Sequence, residues 1–208
     1  MRASWVREGA RSGFTLVEFL VSIAIIGVMT GMMMANFHGG QQSSEIRLSA
    51  DLLVSQLRSI QTSSYSGRLV AVCSGGSNDL AVCEPGSGSA LGCPGGICQK
   101  RVPSGYGVHF NAGSASEYTL FYDTDGDKRY EAGERAYGVP FVSSGTVRLT
   151  DSSAGLPLDL VYVPPYGQLY VNGSASGTVT VTLTLGHRYG GLIRHVNIHR
   201  LSGKIDHD

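Results

Sequence analysis

Net charge is missing from this chain, in which 16 Lys and Arg stand against 16 Asp and Glu. That balance excludes a strongly basic nucleic-acid binder and an acidic solvating tail, so any charge-driven partner must be recognised locally. Charge of either sign is also scarce, at 15% of residues. No G-x-S-x-G elbow, H-E-x-x-H helix, phosphate-binding loop or dinucleotide fingerprint occurs, and the Ser, His and Asp residues are scattered rather than grouped. An enzyme is not expected. With 208 residues the chain has room for one compact domain and an appendage, not for two enzyme domains. Glycine, by contrast, is abundant at 29 residues. Together with recurrent Ser and Thr clusters it points to a turn-rich, β-rich extracytoplasmic domain.

The hydrophobicity is concentrated at one end. From Phe14 to Ala35 the only formally charged residue is Glu18, and a helix of that length, roughly 33 Å, crosses a bilayer. Arg2, Arg7 and Arg11 precede it against the single acid Glu8. This positive excess keeps the N-terminus cytoplasmic and predicts a single pass through the inner membrane with the remainder outside. A cleavable secretory signal has a shorter apolar core, of about 7–15 residues. A carboxylate in a spanning helix costs about 2.5–3.5 kcal/mol near the centre and less near the interface. Glu18 therefore asks for a partner.

The run Arg11-Ser12-Gly13-Phe14-Thr15-Leu16-Val17-Glu18-Phe19-Leu20, continuing Val21-Ser22-Ile23-Ala24-Ile25-Ile26-Gly27-Val28-Met29, resembles the class III signal of type IV pilins and pseudopilins. The resemblance implies a prepilin peptidase that cuts after Gly13 and methylates the new amino terminus at Phe14. It makes Glu18 the fifth mature residue and an assembly residue. In physical terms, the cut creates an ammonium at Phe14 that a neighbouring subunit's Glu18 can neutralise, and a wrong stagger leaves both charges unpaired at a cost of several kcal/mol. Loss of the leader removes Arg2, Arg7, Arg11 and Glu8, leaving 13 basic and 15 acidic residues and a formal charge of −2. Gly27 and Gly31 weaken the helix by up to about 1 kcal/mol each relative to alanine. They fit either local unwinding in a filament, which the resemblance favours, or close helix packing. The helix-breaking proline of many pilins is absent.

Beyond the apolar run, Ile46, Ala50, Leu53, Leu57 and Ile60 recur at steps of four and three, with Glu45, Arg47, Asp51, Gln56 and Arg58 opposite. That stripe is a helix lying on a sheet, and Ser63-Ser64-Tyr65-Ser66-Gly67 is its stop. The helix is expected from about residue 14 to about 64. Short strands are expected at 68–73, 106–110, 117–123, 137–142, 146–150, 158–163, 168–171, 178–185, 192–199 and 203–206. Val179, Val181, Leu183 and Leu185 are expected to share a core-facing side. The fold class is α+β: a long N-terminal helix, first transmembrane and then amphipathic, packed on a mainly antiparallel β-sheet head in the pilin-like manner. Its parts are a leader at 1–13, a transmembrane and polymerisation helix at 14–35, an amphipathic helix at 36–66, and a head at 67–208 with a cysteine loop at 73–98. The run from Leu52 to Gln61, leading into Arg68-Leu69-Val70-Ala71-Val72-Cys73, and the closing segment Val196 to Ile205 resemble the minor pseudopilins of the GspH/FimT type.

Three features of the head carry possible chemistry. Cys73, Cys83, Cys93 and Cys98 lie in an insert too poor in apolar residues for a core. Outside the membrane they suit two disulfides, with three pairings open; zinc is the competing reading, although no C-x-x-C or nearby histidine supports it. The segment from Asp123 to Glu134 places Asp123, Asp125, Asp127 and Glu134 at positions one, three, five and twelve of a loop, the spacing of an oxygen cage for calcium. Lys128 replaces the usual glycine at position six, and a solvated Asp- and Gly-rich turn has the same composition. No cofactor is otherwise required. At the C-terminal end, Arg188, Arg194, Arg200 and Lys204 fit either a DNA-contacting surface or a solvated edge strand. On that strand His195, Asn197 and His199 face outward, with the two histidines about 13 Å apart and too distant to share a metal.

These observations predict a structural subunit, a minor pilin or pseudopilin of a type II secretion pseudopilus or a type IV pilus. Its partners would be prepilin peptidase, other pilins or pseudopilins and the membrane assembly platform. The alternative is a membrane-anchored binding domain that never polymerises, or a pilus subunit that binds DNA.

Overall fold

The computed structural model describes residues 13–84, 92–113, 115–142, 145–177 and 179–208, without the side chains of 35–39. Arg2, Arg7, Glu8 and Arg11 of the expected leader, and Thr178 of an expected strand, lie outside them. The chain divides into two units, Met1–Gln41 and Gln42–Asp208.

Within the first unit the sequence from Leu16 to Met34 is helical, with a mean hydropathy of 2.1 and none of it buried. This is the beginning of α1 (Leu16–Ser66). Thr15 caps it, its Oγ1 accepting the Glu18 N–H at 3.3 Å. The only other hydroxyls of this stretch, on Ser22 and Thr30, donate back to the Glu18 and Ile26 carbonyls at 2.7 Å. They therefore need no water, as a lipid environment requires.

In the second unit the remainder of α1 lays Ile46, Ala50, Leu53, Val54, Leu57 and Ile60 into the core, the stripe read from the sequence. The helix stops where Gly67 takes φ +60°, a left-handed C-terminal position that costs glycine little. Eleven strands follow among the described residues. β1 (Val70–Ser74) pairs with β2 (Ile97–Arg101). β3 (Gly105–Phe110), β4 (Glu117–Asp123), β5 (Arg135–Pro140), β7 (Leu158–Val163) and β8 (Gln168–Val171) form a sheet in the order β5-β4-β3-β7-β8. β6 (Val147–Ser152), β9 (Thr180–His187), β10 (Ile193–His199) and β11 (Ile205–His207) form another in the order β11-β10-β9-β6. All pairings are antiparallel. The inward faces of the two larger sheets and the helix stripe make one continuous apolar cluster. The helix is also tied to β11 by polar contacts. Arg58 donates to the Ile205 carbonyl at 2.7 Å, and His207 meets Asp51 at 2.7 Å.

Ten of these strands fall where the sequence places them, and β2 is the addition. One core assignment is corrected: Val179 is 58% exposed, because β9 begins at Thr180. Its inward set is Val181, Leu183, Leu185 and His187, all buried. His187 occupies the last inward position because its Nε2 faces Glu45 of α1 at 3.4 Å.

Leu57, fully buried in the shared core, gives the cleanest test of this packing. Leu57→Ala is expected to cost about 3 kcal/mol through lost transfer energy and the cavity it leaves, read as a lower denaturation midpoint of the detergent-solubilised chain. A midpoint unchanged from wild type would show that the helix does not dock on the sheets.

Candidate functional site

The N-terminal helix is the first site. Phe14, Leu16, Val17, Phe19 and Leu20 are all more than half exposed, so the first unit presents an apolar surface. Glu18 is the one charged side chain between Phe14 and Met34 and lies in the first turn of α1. Both the helix dipole and the Thr15 cap favour an acid there.

The second site is the loop between β4 and β5. Asp123 ends β4 and accepts the Gly126 N–H on Oδ1 at 2.6 Å. Asp125 and Asp127 then accept the N–H groups of Asp127 and Arg129 at 3.0 and 2.7 Å, which folds the backbone back on itself. A short 3-10 helix, Ala132–Glu134, closes the loop. Glu134 reaches inward from it, its Oε1 accepting both the N–H and the hydroxyl of Thr124 at 2.6 and 3.1 Å. Lys128, standing where the sequence pattern has glycine, adopts φ +62°. Its ammonium donates to the Gly126 carbonyl.

The two ends of this loop are buried, Asp123 at 0% and Glu134 at 4% exposed, while Asp125, Asp127 and Glu131 between them are exposed. Burial holds both carboxyls above the ordinary carboxylate range, only partly offset by their backbone hydrogen bonds. The Asp123 Oδ2 is buried without a hydrogen-bond partner, a condition that costs at least about 1–3 kcal/mol. One oxygen each of Asp123, Asp125 and Glu134 lie within 4.8 Å of one another. Asp125, Asp127 and Glu131 satisfy the same condition. Glu131 was missed by the sequence reading, although position nine of the twelve-residue spacing points to it. Next to the loop is a cleft of about 280 Å³, bounded by Ser77, Asp79, Thr124, Asp125, Glu131 and Glu134. Behind the loop, Tyr130 stacks on His109 with ring centres 4.4 Å apart. Both ring nitrogens of His109 are engaged, by Asp159 at 2.6 Å and Asn111 at 3.1 Å.

The four cysteines form two bridges, Cys73–Cys93 and Cys83–Cys98. No thiolate remains for zinc, so the zinc reading is withdrawn. The bridges interlock, and their sulfurs with Ala71 make a small cluster separate from the main core.

The basic residues of the C-terminal segment have different local surroundings. Lys204 is paired with Asp206 at 2.6 Å. Arg200 has a buried Nη1 with no partner, and Arg188 lies over the Tyr189 ring at 5.5 Å. Arg194 shares its strand parity with the inward Val196 and Ile198 and is half-buried. His195, Asn197 and His199 do face the other way, each bonded to its cross-strand partner, Thr184, Thr182 or Thr180.

Residues 9–34 match the prokaryotic N-terminal methylation motif. No curated protein and no solved structure matches the chain. The motif spans the Gly13-Phe14 junction and the exposed apolar helix, and it marks the chain as a type IV pilin-like precursor.

Proposed function

We propose that the chain is a minor pilin or pseudopilin, stored in the inner membrane with its head outside. Prepilin peptidase cuts it after Gly13 and methylates it at Phe14, and the membrane assembly platform then packs it into a pseudopilus or pilus beside other subunits. The observation that carries this reading is the uncovered helix from Leu16 to Met34 with Glu18 as its single charge. Such a surface is stable in lipid or against like helices, and not in water. In a fibre the Glu18 carboxylate neutralises the terminal ammonium of a neighbour, which sets the axial stagger. The β-rich head favours the GspH/FimT kind of minor subunit.

Mass spectrometry of the mature chain, in a host with active prepilin peptidase, tests the processing. The expected N-terminus is methylated Phe14. Gly13→Leu places a branched side chain at the cut and is expected to leave the leader attached in essentially every molecule. Thirteen leader residues retained on wild-type chains within functional fibres would overturn the reading and favour a tethered domain that never polymerises.

A further inference from the structure

We propose that the loop from Asp123 to Glu134 binds a calcium ion through Asp123, Asp125 and Glu134, with Asp127 and Glu131 on its exposed side. Two oxygens that each touch one calcium at about 2.4 Å stand no more than about 4.8 Å apart. Asp123, Asp125 and Glu134 meet that limit, as do Asp125, Asp127 and Glu131, and Asp125 belongs to both groups.

Acids crowded on a surface would carry little weight alone. Asp123 is different, because it is 0% exposed, one of its oxygens lies inside the first triad, and its Oδ2 has no hydrogen-bond partner. A buried carboxylate with an unused oxygen is a place for a cation. Lys128 supplies the only ammonium in the segment, set against five carboxylates, with Arg129 the other cation. Its ammonium, at the end of a flexible stem, donates to the Gly126 carbonyl and lies 5.9 Å from the Tyr170 ring. All the ligands are hard oxygens, which disfavours zinc and copper. Carboxylates of such different burial suit the adaptable shell of calcium better than the strict octahedron of magnesium. This inference does not depend on assembly into a fibre.

The test is calorimetric titration of chelator-stripped, full-length chain in detergent micelles with calcium chloride. A saturable one-site heat is expected, with Kd about 0.1–1 mM and a raised thermal midpoint. Asp125→Asn, at an exposed position and with an amide oxygen that still accepts the Asp127 N–H, is expected to weaken binding roughly tenfold or more. Lys128→Gly removes the internal ammonium and relieves φ +62°, and is expected to tighten it by roughly tenfold. Terbium in the same loop should show emission sensitised by Tyr130 that calcium displaces. Absence of heat and of any midpoint shift at about 10 mM calcium would overturn the proposal. So would binding unaltered by Asp125→Asn, or an equal response to magnesium at the same concentration.

Discussion

Chains carrying Glu18→Val are expected to be trimmed and methylated like wild type and then to be lost from fibres. The substitution leaves the cut at Gly13-Phe14 intact and makes the spanning helix more apolar, so insertion and processing have no reason to fail. Assembly has one: a neighbour's terminal ammonium enters the packed helices without its counter-ion. Breaking a buried pair by removing one member costs about 3–5 kcal/mol, which lowers incorporation by about two to three and a half orders of magnitude at equilibrium, at about 1.4 kcal/mol per tenfold. Glu18 also sits three residues after the Thr15 cap, so a helix-capping role must be separated from the charge-pairing one. Glu18→Gln retains a capping side chain of the same shape and removes only the charge. Both variants are expected to accumulate in the membrane as mature chain and to be missing from sheared fibres made by sister subunits. Recovery of the Gln variant at wild-type yield would assign Glu18 to capping, and recovery of the Val variant would remove it from assembly.

What the sequence made legible followed from short-range repetition. The stripe Ile46 to Ile60 repeats at helical spacing, and the alternation in β9 and β10 repeats at two, so both could be read without knowing their neighbours. β2 could not, because Ile97-Cys98-Gln99-Lys100-Arg101 has no buried face of its own. It is a strand because its backbone pairs with β1, from Arg101 opposite Val70 to Ile97 opposite Ser74, and that register is a long-range fact. Val179 failed as a core residue for a related reason: an alternating pattern gives the face but not the first paired residue. The basic C-terminal residues illustrate the same limit, since a local partner such as Asp206 for Lys204 is not readable from their spacing. The acidic loop was legible as a spacing. Its burial was not, because the inward turn of Glu134 depends on the N–H and hydroxyl of Thr124 ten residues earlier.

Replacing all four cysteines by alanine is expected to destabilise the head by about 4–8 kcal/mol, on the basis of about 2–4 kcal/mol for each native bridge. That is comparable with the entire stability of many domains, typically 5–15 kcal/mol. The bridges close loops of sequence separation 20 and 15, and constraint of the unfolded chain accounts for about 3 kcal/mol at the shorter length. The folded insert has little to replace that constraint. Between the bridged cysteines the buried apolar contacts are mainly the sulfurs themselves, with Ala71 beside them, and β2 pairs only with β1, a two-stranded sheet that is marginal in water without support; β1, by contrast, lays Val70 and Val72 into the main core. The damage should therefore begin locally. Hydrogen exchange is expected to accelerate first in β2 and in the Ser77 to Ala81 segment that walls the acidic cleft. β9 and β10, held by the main core, should follow only at global unfolding. A peptide map of unreduced wild-type chain should recover Cys73 with Cys93 and Cys83 with Cys98. Equal denaturation midpoints for the four-alanine chain and wild type would mean that the insert is held by contacts other than its bridges. Uniform acceleration across all strands would mean instead that the insert and the main core unfold as one unit.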